Sequence, residues 1–162
     1  MYNYTMFAII GLGNPGEKYR NNRHNVGHMF IDYLVNELRV NELKLYKTDC
    51  FMNQSGAFIK KVMRNSGMRR ENLVIAHDDL DIPLGKFKIQ KGIGPQLHNG
   101  IESVEKSLGT KDFWRIRIGV DNRTPDNWID GETYVLNDFR QNELDVIQAL
   151  FPEVLNRLQT LW

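Results

Sequence analysis

One cysteine, Cys50, stands among 162 residues, which excludes an internal disulfide and a cysteine-built metal knuckle. No apolar run approaches the ~20 residues that a membrane-crossing helix needs. The N-terminal MYNYTMFAII lacks the basic stretch, apolar core and small-residue cleavage site of a secretory signal. Repeats, low-complexity tracts and linkers are also missing. What is present is ordinary for a globular protein, 41% hydrophobic and 25% charged residues. These features predict one domain over residues 1–162, large enough to bury a core, in a reducing, cytoplasmic setting. The net charge of +1 hides an uneven distribution. Lys60, Lys61, Arg64, Arg69 and Arg70 crowd one segment and Lys86, Lys88 and Lys91 another, whereas residues 126–145 are acidic apart from Arg140. Taken singly, each cluster reads as a solvated face. Two basic clusters together with Arg115 and Arg117 point towards an anionic partner.

Apolar runs at 6–12, 73–78 and 115–120 read as buried strands, and 86–92 alternates like a half-exposed one. Residues 27–39 and 55–66 have helical spacing, and final helices span 141–161. Asn99 is placed to cap a helix that closes at Gly109. Strands alternating with helices predict a three-layer α/β domain with a mixed, mostly parallel central sheet. Ligands in such sheets bind beyond the carboxyl ends of the strands, and Asn14 and Asp78 both fall just past an expected strand end.

Five short strings carry the chemistry: GLGNPG (11–16), RHNVG (23–27), FMNQSG (51–56), HDDLDIPLG (77–85) and HNG (98–100). GLGNPG satisfies the dinucleotide-binding spacing, but Pro15 and a polar stretch follow it where a helix should open, so a nucleotide cofactor is not expected. Ser55 lacks the glycine context of a serine nucleophile. His24 and His28, or His77, Asp78, Asp79 and Asp81, could instead form a metal site, which keeps a metal-dependent hydrolase as one reading. Neutral asparagines beside a His/Asp pair suit hydrolysis of an activated carbonyl, because an amide donates and accepts without changing charge.

In order and across roughly residues 7–145, these strings resemble the bacterial-type peptidyl-tRNA hydrolase family, with LGTKDFWRIRIGV (108–120) and YVLNDF (134–139) extending the likeness. The resemblance implies an esterase that separates a peptide, or an N-blocked amino acid, from tRNA, without metal or cofactor. His24 would be the base and Asp78 its orienter. Asn14, Asn53 and Asn99 would hold peptide, water and oxyanion, with Tyr19, Met52 and His98 lining the same cleft. Lys88, Arg115 and Arg117 match basic positions that would neutralise tRNA phosphates. Peptidyl-tRNA would be the partner of a monomeric enzyme. The chain departs from the family pattern in three places. GIGPQL (92–97) replaces a glycine-rich loop, the chain is short between residues 40 and 50, where a strand or hairpin would be lost, and its C-terminal helix region is abbreviated. These departures leave a second reading, a related RNA-binding protein with impaired catalysis.

Overall fold

The structure is a computed structural model that describes residues 7–38 and 43–161. Met6 and Arg39, at the ends of an expected strand and an expected helix, lie outside them. Five strands form one sheet: β1 (Phe7–Gly11), β2 (Leu43–Lys47), β3 (Leu73–Pro83), β4 (Phe87–Lys91) and β5 (Trp114–Asp121), in the order β2-β1-β3-β5-β4. The first four in that order are parallel, and β4 is antiparallel to β5. The helices are α1 (Val26–Glu37), α2 (Ser55–Ser66), α3 (Asn99–Leu108), α4 (Gly131–Val135) and α5 (Gln141–Gln159).

Alternation along the strands divides the core. Val74, Ala76, Ile116, Ile118 and Val120 pack with Phe30 and Leu34 of α1 and Ile147, Phe151 and Val154 of α5. Leu73 and Ile75 pack on the opposite face with Ile59 of α2 and Ile101 and Val104 of α3. The three-layer, mostly parallel architecture agrees with expectation. Helix α1 begins against the sheet backbone to backbone, since a Cβ on Gly27 would overlap the Ala76 carbonyl oxygen. That is why a glycine stands in the RHNVG string.

Three expectations need correction, and one strand was not foreseen. The segment 40–50 supplies a strand, β2, which pairs with β1 from Phe7↔Leu43 to Gly11↔Lys47. Its five residues are too few to stand out from their neighbours by alternation alone. Asp78 does not lie past a strand end, because β3 continues to Pro83 by pairing with β5. It lies instead beyond the end of β1, whose ladder with β3 stops at Gly11↔Ala76. The C-terminal helices are one helix that runs through Pro152, whose exposed position lets water satisfy the carbonyl it leaves free. The acidic stretch 126–145 is not wholly solvated: Glu143 is buried, caps α5 by accepting from Arg140 N at 2.8 Å, and pairs with buried Arg23 at 2.7 Å.

Candidate active site

A cleft of about 500 Å³ opens where β1 ends and β3 continues, lined by Asn14, His24, Met52, Asn53, Asp78, His98 and Asn99, among others. The residues named come from five separate segments. Asn14 follows β1, His24 occupies the one-turn 3-10 helix before α1, Met52 and Asn53 occupy another before α2, and His98 immediately precedes α3. Asp78 shares strand parity with Ala76 and therefore faces the α1 side, where His24 sits.

The His24 Nδ1 lies 2.9 Å from both Asp78 carboxylate oxygens. A carboxylate only accepts, so Nδ1 carries the proton and Nε2 keeps its lone pair. No protein partner engages Nε2 among the described residues, and the ring lines the cleft. Burial opposes charging of His24, but the Asp78 charge and its hydrogen bonds outweigh it and hold the pKa above the ordinary 6.5. Burial would raise the Asp78 pKa, yet the two histidines beside it hold the carboxyl far below the usual range.

His98 departs from expectation. The cap of α3 is not Asn99 but His98, whose Nδ1 accepts from Gly100 N at 3.1 Å and Ile101 N at 3.2 Å. Its other nitrogen, Nε2, must then carry the proton, which it donates to Asp78 Oδ1 at 2.8 Å. Asn99, freed from capping, is exposed in the cleft, as is Asn53.

Asn14 is held on three sides. Its backbone N–H donates to Asn25 Oδ1 and its carbonyl accepts from Asn25 Nδ2, both at 2.9 Å. Its Oδ1 accepts from Met52 N at 2.8 Å, which leaves Nδ2 as its free donor. Thr48 Oγ1 accepts from Gly13 N at 3.1 Å and donates to Gly13 O at 2.9 Å, with His28 Nε2 at 3.0 Å. Asn25 and Thr48 were not among the residues expected at the site. The adjacency of Asn25 to His24 was a usable signal, whereas Thr48 follows the strand that alternation did not reveal.

The structure separates the expected metal sets. His28 turns to Thr48, away from His24. His77 donates Nδ1–H to the Asp78 carbonyl oxygen at 2.7 Å, and Asp79 faces the other side of the sheet, towards Arg117. The group that does converge is His24, Asp78 and His98, with one ligand atom from each within 4.8 Å of the others. In this arrangement the histidine atoms are hydrogen-bond donors to the carboxylate, and a cation would have to displace both protons.

The basic residues also sort differently from expectation. Arg115 is 1% exposed and pairs with Glu105 Oε1 at 2.8 Å, and Arg117 is 6% exposed and pairs with Asp79 Oδ2 at 2.7 Å. Their alternation partners Ile116 and Ile118 face α1 and α5, which turns both arginines to the opposite face of the sheet, Arg115 against Glu105 of α3 and Arg117 against Asp79, rather than out towards phosphates. Lys88 is exposed on β4 and lies outside the cleft. Tyr19 does not line the cleft itself, but its ring packs edge-on against Phe51, which does, at 6.2 Å.

The family model described as peptidyl-tRNA hydrolase matches residues 8–44 and 35–162. The chain belongs to the peptidyl-tRNA hydrolase family. The peptidyl-tRNA hydrolase of Thermodesulfovibrio yellowstonii is 37% identical, over 94% of this chain and 90% of its own length. That of Fervidobacterium nodosum is 39% identical, over 88% and 81%. A crystal structure of a peptidyl-tRNA hydrolase from Acinetobacter baumannii superposes with a TM-score of 0.80 at 25% identity, covering 96% of this chain and 88% of that one. A [NiFe] hydrogenase maturation protease from Thermococcus kodakarensis, at TM-score 0.54 and 11% identity, shares the fold alone. No helix among the described residues is long and apolar enough to cross a membrane.

Proposed function

We propose that the cleft hydrolyses the ester joining a peptide, or an N-blocked amino acid, to the terminal ribose of tRNA, with His24 as general base and Asp78 as its orienter. The observation that carries this reading is the proton held between His24 Nδ1 and Asp78, which leaves Nε2 as a base inside the cleft. Nε2 takes a proton from water as the water oxygen attacks the ester carbonyl. Asp78 stabilises the imidazolium so formed. The C–O bond to ribose then breaks, and the imidazolium returns its proton to the departing ribose oxygen. Asn14 Nδ2, the free donor of a side chain fixed on three sides, faces the developing oxyanion. Asn53 and Asn99 supply exposed amides to the peptide backbone, beside Met52 and His98, with Tyr19 at the rim.

The hydrolysis uses no metal or cofactor, because an ester to ribose is already an activated acyl group. One chain supplies the whole residue set, which suits a monomer, and the substrate places the enzyme in the cytoplasm. Lys88, with exposed Lys86 and Lys91, meets tRNA phosphates, whereas Arg115 and Arg117 are committed to buried pairs.

The test is cleavage of N-acetyl-aminoacyl-tRNA by the parent and by His24→Ala, with and without chelator. The expected result is chelator-insensitive turnover that falls by about 10² or more in the variant. Chelator-sensitive turnover would return the metal hydrolase. Salt-sensitive tRNA binding without turnover would identify an RNA-binding relative.

A further inference from the structure

Seven large apolar side chains are exposed among the described residues, and three of them, Phe51, Leu97 and Leu136, line the same cleft as His24. Leu97 is the most exposed of all, at 82%. Met52, Leu80 and Val135 continue the apolar wall, and Glu102 and Glu132 stand exposed at its edge.

The exposure of Leu97 is not that of a loose loop. Gly92 N donates to Phe113 O at 3.2 Å, the Gly94 carbonyl accepts from Arg115, and the Arg117 guanidinium packs against Gly94. Gln96 N donates to Asp81 Oδ2 at 2.8 Å, and His98 is fixed between Asp78 and the start of α3. The buried arginines thus pin the loop that presents Leu97. A leucine held in water on a pinned loop, one residue from a histidine of the site, is an apolar surface prepared in advance for a ligand.

Resting on the hydrolase reading, we infer that Leu97, with Phe51 and Leu136, selects the side chain of the amino acid esterified to tRNA, in favour of large apolar residues. The ester carbon must approach His24, so the side chain of the esterified residue falls within reach of the same wall. The carboxylates of Glu102 and Glu132 repel an acidic side chain from that position and also make the wall unsuitable for phosphates. Acidic esterified residues are therefore the poorest substrates.

The test compares kcat/KM on one tRNA carrying N-acetyl-leucine, N-acetyl-phenylalanine, N-acetyl-glycine or N-acetyl-aspartate. Each value is divided by the uncatalysed hydrolysis rate of the same ester. The parent is expected to favour leucine and phenylalanine over glycine by about tenfold, with aspartate lowest. Leu97→Ser reduces the leucine-to-glycine ratio to below about threefold, and Leu136→Ser moves it in the same direction. Both positions are exposed, and a thermal midpoint verifies folding. Equal values across the four esters, or a ratio that survives Leu97→Ser, would overturn the inference while the enzyme still turned over. Absence of turnover on every ester would overturn the hydrolase reading, and the inference with it.

Discussion

His98 and Asp78 are joined in one sense only. The Nδ1 of His98 is occupied by the amides of Gly100 and Ile101, so its Nε2–H always points at the carboxylate. Asp78 therefore receives two N–H donors, from His24 and His98, but only His24 has a nitrogen left over for chemistry. A second proton on His98 would break both bonds that begin α3. In the proposed mechanism, the helix cap thereby decides which imidazole of the pair can serve as the base.

The first prediction concerns pH. The His24 pKa is raised above 6.5 by Asp78, so kcat/KM climbs with pH through an apparent pKa above that value as the imidazole becomes neutral. Asp78→Asn removes the charge that opposed burial, and the acid limb moves down below 6.5. Activity on the plateau falls by about 10²–10⁴, because the favoured tautomer and the support for imidazolium are both lost. A pH–rate profile of each protein checks this, and an unmoved limb would remove Asp78 from the role.

Replacement of His98 tests the asymmetry of the pair. In His98→Ala, Asp78 loses one donor and its charge bears more fully on His24, so the acid limb moves upward, opposite to the effect of Asp78→Asn. Loss of the cap costs about 1 kcal/mol of stability, visible in a urea midpoint. A purely structural role for His98 would lower stability without moving the limb.

Much of this was legible because the strings are local. Buried runs such as LVIAHD announce a strand, and histidine, aspartate and asparagine announce their chemistry wherever they fold. What a linear reading misses is partnership at long range. Asn99 looks like a cap by its position, yet His98, with a ring long enough to meet the amides and Asp78 at once, takes that place. Arg115 and Arg117 resemble phosphate ligands, and only strand parity together with Glu105 and Asp79 turns them inward. Thr48 could not be found without β2, whose end delivers it to Gly13.

Two other histidines make the fold sensitive to acid. Burial, with the Lys47 charge, lowers the His28 pKa to about 4, and burial, with His98 beside it, lowers that of His77 to about 3. Both bind protons near pH 6.5 when unfolded, so the stability they contribute is complete above 6.5 and lost as pH falls towards 4 and 3. The His28 shift corresponds to roughly 3 kcal/mol. His24, shifted upward, works in the opposite sense and contributes most below 6.5. Urea midpoints from pH 7 to 4 should fall steeply in the parent and less steeply in His28→Asn. Parallel curves would mean that His28 titrates normally.

Removing the Thr48 hydroxyl asks whether the GLGNPG loop needs its clamp. Thr48→Val leaves the Gly13 amide without its acceptor, at a cost of about 1–3 kcal/mol. Asn14 follows Gly13 directly, so its Nδ2 shifts, and kcat falls by about tenfold or more while KM changes little, as expected for a donor that acts on the oxyanion. A fall in stability with kcat intact would show that Asn25 and Met52 suffice to hold Asn14.

Lys88 and Arg115 lie on adjacent strands, yet their substitutions should fail in different assays. Lys88→Ala removes an exposed charge, so the fold is unchanged, tRNA binding weakens, and the salt dependence of log K falls by about one. Arg115→Ala leaves Glu105 without its buried partner and frees the Gly94 carbonyl that holds the loop before His98. Stability falls by about 1–3 kcal/mol, the cost of leaving a buried acceptor unpaired, and the salt dependence of tRNA binding by the protein that remains folded is that of the parent. If Arg115→Ala instead reduced the salt dependence as Lys88→Ala does, the guanidinium would have to leave its pocket to meet RNA, and its pairing with Glu105 would be a resting state rather than a structural one.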